Sequence, residues 1–501
     1  MMFNKQILPF ILLLFFSNVS CKKEIDPFSN VLDLKNSPSS PDDEGLNAFF
    51  DLGSWMGFAL SDDKTKTEFT GPYILGLEHG IWASNNFTSL DLIDKNGKSL
   101  LTNLNYSEQK YFPGKLENQL HFEDIELISN LIFNSDKSAI ISSKIINNGT
   151  HNLNFTPQWK GEVFDEIGDL INNDTFLITL LDKNQKIFLR PINNNKFNIL
   201  TDSNKYVITL NNIILKPKES KTYAIEIQYH PDQKNIKENT NRINVTQVIE
   251  DNQLRWKKYL EITKNKSLSK EEKLILTKSI CTLINNWRST AGALKHDGLF
   301  PSYHYKWFQG FWSWDSWKHA VALVKIDKEL AKNQVRAMYN YQNMEGMIAD
   351  CIFRDTTTER NNWRDTKPPL SSWAIWEIFK ETSDTTFLKE MYPKLVKYHN
   401  WWYTFRDYDK DGLCEYGSTD GSLIAAKWES GMDNAIRFDK CKILDGSNYS
   451  INTESVDLNS YLAKEKEYLS KIAKALKRPE YTKWEEGFKI LSDRIRNNFY
   501  D

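Results

Sequence analysis

Several features that would assign this chain to a common functional class are missing. Lysine and arginine (64) nearly balance aspartate and glutamate (66), so a basic surface for nucleic acid or anionic lipid is not expected. Only 5 cysteines are present and none stands in a C-x-x-C pair, which argues against a zinc ribbon or a dithiol redox motif. Beyond the extreme N-terminus, no segment is long and apolar enough to cross a membrane. The 501 residues instead predict two or three folded domains.

The N-terminus carries a predicted export signal. Lys5 precedes an apolar run at 7–16, which has the length of a signal peptide and is short for a membrane span. Cys21 follows small and polar residues, as does the lipidated cysteine of bacterial lipoproteins. We predict a lipoprotein-type signal at 1–20, lipidation of Cys21, a flexible tether at 21–45, and a lipid-anchored protein of the bacterial envelope. A plain signal peptide with an incidental cysteine is the alternative.

The hydrophobic pattern changes about halfway along the chain. The earlier half has a period of two, as at 223–229, and predicts an antiparallel β-sandwich over 46–250. The later half has a helical period, and Ser269 with Glu272 forms a capping-box signature. Further helices are predicted at approximately 315–325, 328–344, 369–381, 384–406, 455–477 and 481–498. Such helices, joined by long aromatic and acidic loops, predict an α/α toroid over 251–501, with the site built by loops at one end.

An aromatic segment at 307–317 holds four tryptophans and two phenylalanines around a single carboxylate, Asp315. Flat aromatic faces bind the C–H faces of sugars, and a carboxylate binds sugar hydroxyls through charge-assisted hydrogen bonds. Simple core packing is the alternative, but glycine and polar residues interrupt the segment too often for one buried helix face. We therefore predict a carbohydrate site with contacts from Trp312, Trp314, Asp315 and Trp317.

Two later loops carry further charged residues. In the loop at 362–373, Lys367 stands before two prolines that fix the start of a helix, and hydroxyl recognition competes with an ordinary solvated loop. In the next loop, Glu429 and Asp433 flank a glycine-containing turn beside Trp428, and we predict that Lys367, Trp428 and Glu429 contact the substrate. Glycoside cleavage needs a protonated carboxylic acid, and a carboxyl held among apolar rings stays protonated more easily. Asp433 fits that role, although such a motif alone is more often an ordinary turn.

Together these loops resemble, in the same order, the motifs of glycoside hydrolase family 63 in the trehalase-like α/α-barrel clan. The matching segments are Phe-Trp-Ser-Trp-Asp-Ser-Trp at 311–317, Thr-Lys-Pro-Pro-Leu at 366–370 and Trp-Glu-Ser-Gly-Met-Asp-Asn at 428–434. The resemblance implies a β-sandwich followed by an (α/α)6 barrel, and inverting hydrolysis of an α-glucosidic bond without a catalytic cofactor. It also implies that Asp433 is the general acid, that Asp315 holds the glucose, and that the motif tryptophans form the walls.

The catalytic base stays unassigned. Inversion requires a second carboxylate about 6.5–9.5 Å from the acid, and the family supplies a glutamate in the last part of the barrel. Glu454, Asp457 and Glu465 lie on a helical pattern and are interpreted as solvated face residues. We therefore expect an incomplete toroid and an inactive chain. A non-catalytic glycan-binding or degenerate protein and a trehalase are the alternatives.

A separate acidic loop predicts a structural metal. Asp407, Asp409 and Asp411 alternate before Gly412, as in the first half of an EF-hand loop. The twelfth position is Ser418 instead of a bidentate glutamate, so the EF-hand is incomplete. Family resemblance implies calcium in a comparable loop, and we predict structural Ca²⁺ held by the three aspartates. An acidic turn without metal is the alternative.

Overall fold

A computed structural model of the chain describes residues 28–500, apart from 76–79, 169, 174, 180–184, 193–196, 232–242, 358–359 and 445–448. The predicted signal at 1–20 and Cys21 lie outside these residues, so the lipid anchor stays a prediction. Within the described part, no helix combines the length and the apolar character that a bilayer crossing requires.

Antiparallel strands occupy the first half of the chain. Their bounds are β1 (Met56–Leu60), β2 (Phe69–Ile74), β3 (Ile81–Trp82), β4 (Ser89–Ile93), β5 (Leu104–Phe112), β6 (Lys115–Phe122), β7 (Ile125–Ser135), β8 (Ser138–Asn147), β9 (Leu153–Glu162), β10 (Leu170–Asn173), β11 (Thr175–Thr179), β12 (Lys186–Ile192), β13 (Phe197–Asp202), β14 (Lys205–Leu210), β15 (Ile213–Leu215) and β16 (Ser220–His230). One sheet has the order β10-β11-β12-β16-β8-β7-β6-β5, a second joins β13, β14, β9, β15 and β4, and a third joins β1, β2 and β3.

Helices occupy the second half. Their bounds are α1 (Val245–Tyr259), α2 (Lys270–Asn285), α3 (Ser313–Leu323), α4 (Lys328–Tyr339), α5 (Ser371–Thr382), α6 (Thr385–Phe405), α7 (Leu423–Glu429), α8 (Val456–Ala475) and α9 (Tyr481–Phe499). Short paired strands lie between them: β17 (Trp287–Arg288) with β18 (Gly298–Leu299), β19 (Phe311–Trp312) with β20 (Cys351–Ile352), and β21 (Glu415–Gly417) with β22 (Ser450–Glu454). The prediction of antiparallel sheets followed by helices is confirmed.

Local sequence explains these elements. Strand β6 alternates buried and half-buried side chains along its length, because one face packs on the core. The predicted capping box is present at α2: Ser269 Oγ accepts from Glu272 N at 3.1 Å, and Glu272 Oε2 accepts from Ser269 N at 2.7 Å. The six later predicted helices match α3, α4, α5, α6, α8 and α9 to within a few residues, whereas α1 and α7 were not predicted.

The predicted tether is wrong for residues 28–45. Leu34 is only 3% exposed and belongs to the core. Asn36 N donates to Leu60 O, and Leu60 N donates to Leu34 O, each at 2.9 Å, so this segment lies along β1. The Pro-, Asp- and Ser-rich composition predicted a flexible chain. Burial of an apolar side chain and hydrogen bonds to the backbone groups at the edge of β1 order the segment instead.

The helices form two rows that position the loops. Helices α3, α5 and α8 contact one another in sequence, and α4, α6 and α9 pack against them. The loops that precede α3 and α5 contribute residues to one common cleft.

One face of α8 that was interpreted as solvated is buried. Glu465 is 1% exposed, and its Oε2 lies 2.8 Å from His399 Nδ1 on α6. Lys466 Nζ lies 3.2 Å from His399 Nε2 on the other side of the ring. Burial raises the pKa of Glu465 and lowers that of His399, so the interface favours a neutral pair. The interpretation was wrong because α6 and α9 cover α8 on more than its apolar stripe.

Candidate active site

The loops before α3 and α5 meet the segment around α7 in a cleft of about 850 Å³. Strand β19 pairs with β20, which sets Trp312 opposite Cys351. Ser313 N donates to Asp350 O at 2.8 Å, and Asp350 N donates to Asn362 O at 3.0 Å. Backbone pairing thus places Trp312, Asp350 and Asn362 side by side, although they are distant in sequence.

Aromatic rings form the walls of the cleft. They are Trp307, Phe308, Trp312, Phe353, Trp363 and Trp428. The rings of Phe308 and Phe353 pack edge-on against Trp312, with centroids 5.3 and 5.7 Å from it. Because edge-on packing holds the Trp312 indole from both sides, the wall is organised before any ligand binds.

A buried charge cluster lies at the floor. Lys367 Nζ lies 3.3 Å from Asp350 Oδ1 and 3.4 Å from Asp365 Oδ2, and it donates to the Trp428 carbonyl. Asn362 Nδ2 donates to Asp350 Oδ2 and to Asp365 Oδ1, each at 2.9 Å. Burial raises the pKa of Asp350 and, with repulsion from Asp350, raises the pKa of Asp365 to about 8. Burial opposes the Lys367 ammonium, but the surrounding carboxylates outweigh it and raise its pKa. Two carboxylates therefore share one ammonium, and one of them holds a proton near neutral pH.

Asp433 lies at the mouth of this cleft. It belongs to the turn after α7, where Gly431 has a φ of +67°. A Cβ at Gly431 would lie 2.5 Å from the Trp314 ring, so glycine is needed both for the backbone angle and for the close approach. Asp433 lines the cleft but is exposed, so the expectation that apolar rings enclose it is wrong for this structure. The turn packs on the Trp314 ring at Gly431, but Met432 and Asp433 after it are exposed.

The other predicted contacts fall into two groups. Trp312, Lys367 and Trp428 line the cleft with Asp433. Trp314 and Asp315 are half-buried at the start of α3, outside the lining. Burial raises the pKa of Asp315, against the opposing ammoniums of Lys318 and Lys367. Its charge is therefore coupled to the floor of the cleft.

Trp317 does not contact the cleft. It is fully buried, and its ring centroid lies 5.6 Å from that of Tyr339 on α4. The turn of α3 rotates this side chain away from the loops and into the contact with α4. The prediction that Trp317 binds substrate is therefore wrong for this structure. Trp317 is a residue of the hydrophobic core.

Glu429 is also placed away from the cleft. It is fully buried, and its carboxylate forms a two-point ion pair with Arg406, with distances of 2.8 and 2.9 Å. Gly417 N donates to Glu429 Oε2 at 2.6 Å. With both oxygens engaged, Glu429 anchors the end of α7 and so holds the turn that carries Asp433. This anchoring does not fit the predicted substrate contact.

Sequence reasoning missed Asp350 and Arg360 among the cleft residues. A carboxylate directly after the apolar residues 347–349 was the available signal for Asp350, because a charge in such a setting is buried only with partners. No comparable pattern marked Arg360.

The acidic loop brings its three aspartates together. One carboxylate oxygen each from Asp407, Asp409 and Asp411 lies within 4.8 Å of the others. Burial, with repulsion from Asp409 and Asp407, raises the pKa of the neighbouring Glu415 to about 7. A concentrated set of hard oxygen donors fits a divalent cation such as calcium.

Both halves of the chain match families of known proteins. Residues 35–282 match the model of the N-terminal domain of glucosidase YgjK, and residues 308–501 match the mannosylglycerate hydrolase MGH1-like glycoside hydrolase domain. The chain belongs to glycoside hydrolase family 63.

Three relatives illustrate the relationship. This family 63 chain is 26% identical over 183 residues to a mannosylglycerate hydrolase of Thermus thermophilus, covering 32% of this chain and 40% of that protein. It is 24% identical over 147 residues to mannosylglycerate hydrolase MGH2 of Selaginella moellendorffii, covering 26% and 28%. The chain thus spans less than half the length of the curated relatives it matches. A solved structure described as a kojibiose phosphorylase from the human microbiome shares the fold, with a TM-score of 0.52 and 12% identity over 90% of this chain and 67% of that one.

Proposed function

We propose that this family 63 protein is an inverting α-glycosidase of glucosyl oligosaccharides, built as a β-sandwich followed by an α/α toroid. The observation that carries the proposal is the position of Asp433, across a tryptophan-walled cleft from the buried Asp350–Lys367 pair. Aromatic walls suit the faces of a sugar ring, while the charged floor suits its hydroxyls.

The floor retains a free acceptor for substrate. Asp350 Oδ1 lies 3.3 Å from Lys367 Nζ, and no other described residue donates to it. Asp350 lines a cleft large enough for a disaccharide. Asp350 is therefore a hydroxyl acceptor, and Lys367 holds its charge in place.

In the reaction, Asp433 passes its proton to the glycosidic oxygen as the bond to the anomeric carbon breaks. Water adds to the opposite face of that carbon and releases a proton to a second carboxylate, which inverts the configuration. None of the described carboxylates is assigned to that second role. A sugar stacked on the tryptophans excludes water from the mouth, so the acid acts in a drier environment than that of the free protein.

A second candidate is a glycoside whose leaving group carries a carboxylate. Arg360 lines the cleft and makes no ion pair with another described residue. Relatives named as mannosylglycerate hydrolases make this chemistry worth testing beside neutral α-glucosides. A guanidinium that pairs with none of the described carboxylates is suited to a carboxylate on the substrate.

The test compares D433N with D439N in a longer form of the protein that supplies the second carboxylate, because inverting hydrolysis is not expected without one. Asp439 is an exposed carboxylate nearby that pairs with Lys427, so D439N controls for a change of charge. Release of sugar from α-glucobioses, trehalose and mannosylglycerate is measured, and the first anomer formed is identified by NMR. We expect D433N to lower turnover by about 10²–10⁴-fold and D439N to leave it unchanged.

Each other outcome counts against a stated part of the proposal. Equal turnover by D433N and wild type, or a product with retained configuration, would overturn the mechanism. Sugar binding without turnover in the wild type would replace the hydrolase by the glycan-binding alternative. Preference for mannosylglycerate, lost in R360Q, would select the second candidate.

We further propose that Asp407, Asp409 and Asp411 hold a structural calcium ion. Their oxygens are close enough for one cation, and the loop connects α6 to β21. Such an ion would stabilise the loop without entering the chemistry.

A further inference from the structure

A buried arginine lies between the β-sheet half and the helical half of the molecule. Arg288, on β17, is fully buried. Its guanidinium carbon lies 4.2 Å from the ring centroid of Phe50, 5.1 Å from that of Phe300 and 5.8 Å from that of Tyr303. Aromatic rings thus enclose the cation.

Only one end of this guanidinium is satisfied by protein. Nη1 donates to the carbonyls of Asn285 and Trp287. Nε and Nη2 are buried and have no hydrogen-bond partner among the described residues. These two nitrogens form the side of the guanidinium whose parallel N–H groups bind an anion at two points.

The cation also lacks a counter-charge. Within the described ranges, no carboxylate forms an ion pair with Arg288, whereas the half-buried Arg255 and the buried Arg406 each have one. Burial lowers the pKa of Arg288 to about 9, so the group remains protonated at neutral pH. A buried unpaired charge is strongly unfavourable, which makes an additional partner necessary.

Other polar side chains lie near this arginine. Gln309 lies beside Tyr73, which in turn lies close enough to Arg288 for their charges to interact. Tyr73 is within hydrogen-bonding reach of the Gln309 side chain, so polar groups from two separate segments lie near the guanidinium.

We propose that Arg288 binds a small monovalent anion of chloride size through Nε and Nη2. One negative charge neutralises one guanidinium, whereas a divalent anion would leave a buried net charge. The complete burial of Arg288 limits the size of the ligand. This proposal does not depend on the proposed hydrolysis.

The anion would stabilise the junction under the cleft wall. Ser289 N donates to Gly53 O at 2.7 Å, which fixes β17 to the β-sheet half. Arg288 pairs with Gly298, where a Cβ would lie 2.6 Å from the Phe311 ring. Phe311 directly precedes Trp312, so the anion site and the cleft wall share one packed unit.

The first test uses the wild-type chain. Crystals grown or soaked in bromide are expected to show an anomalous peak in hydrogen-bonding distance of Arg288 Nε and Nη2. Water alone, or a protein carboxylate at these atoms, would overturn the proposal.

The second test measures thermal unfolding in sodium chloride and in sodium gluconate at equal ionic strength. Each tenfold rise of chloride above its dissociation constant should stabilise the wild type by about 1.4 kcal/mol, while gluconate is too large to enter. R288M should remove the chloride dependence, and R190Q, at an arginine paired with Glu226, should keep it. Equal chloride dependence in wild type and R288M would refute the site. Should R288M not fold, R288K keeps the charge without the paired N–H groups and is expected to lose most of the dependence.

Discussion

Replacing Glu429 by alanine would show whether this residue anchors α7 or contacts the substrate. Arg406 is only 2% exposed, and the substitution would remove the carboxylate that Glu429 supplies to its buried guanidinium. Breaking a buried pair in this way costs about 3–5 kcal/mol. Loss of the acceptor for Gly417 N costs roughly a further 1–3 kcal/mol, and the two effects are not fully additive.

The assay combines thermal unfolding with sugar binding. A loss of about 4 kcal/mol corresponds to a fall in Tm of roughly 8–16 °C for a cooperative unit of 150–250 residues. At temperatures where E429A is folded, sugar binding should persist, because Glu429 does not line the cleft. E429Q keeps one hydrogen-bond acceptor, so its Tm should lie between that of E429A and that of the wild type.

The matched control is E381A, which removes an exposed carboxylate paired with Lys325. Exposed pairs contribute about 0–1 kcal/mol, so the Tm of E381A should barely move. If E429A behaved like E381A, the anchoring argument would fail. If E429A lost sugar binding with its Tm unchanged, Glu429 would be a substrate contact after all.

Three further predictions follow from the cluster, the aromatic residues and the acidic loop. Between about pH 4 and 8 the unfolded chain has released the Asp365 proton while the folded chain keeps it, so the free energy of unfolding should fall as pH rises. Urea titrations should show a flatter dependence for D365N, and an unchanged slope would contradict the assigned proton. In the same titrations, W317A should lose about 3–5 kcal/mol of stability, because it removes a buried indole. W312A should mainly weaken sugar binding, measured by fluorescence. If W312A lost the stability and W317A the sugar binding, the two assigned roles would be wrong. A calcium chelator should lower the Tm of the wild type but not that of D409N, and an insensitive wild type would remove the calcium proposal.

Periodicity and motifs predicted the element order and part of the site. Trp312, Lys367, Trp428 and Asp433 were identified because loops before helices carry their own recognisable patterns. The direction of each side chain depended on partners distant in sequence. Asp350 joins the site only because β19 pairs with β20, and no local pattern encodes that pairing.

Burial was the property that sequence predicted least well. Glu429 and Glu465 look like surface carboxylates until Arg406 and His399 are found against them. Asp433 shows the opposite error, since apolar neighbours in sequence did not enclose it in space. Side-chain environment is set by tertiary contacts, which a linear pattern does not contain.

Two walls of the cleft are tied to each other across its width. Thr419 N donates to Arg364 O at 2.7 Å, and Thr419 Oγ1 donates to Trp363 O at 2.8 Å. Arg364 in turn donates to Asp420 Oδ2 at 2.6 Å and to Ser422 Oγ at 3.0 Å. The segments at 360–367 and 418–422 are therefore held together as one hydrogen-bonded unit. In this structure the Arg364 guanidinium lies over the Trp428 ring. Anyone who replaces one segment with that of a homologue to alter substrate preference should replace both, because a mismatched pair would shift Trp428 from this position.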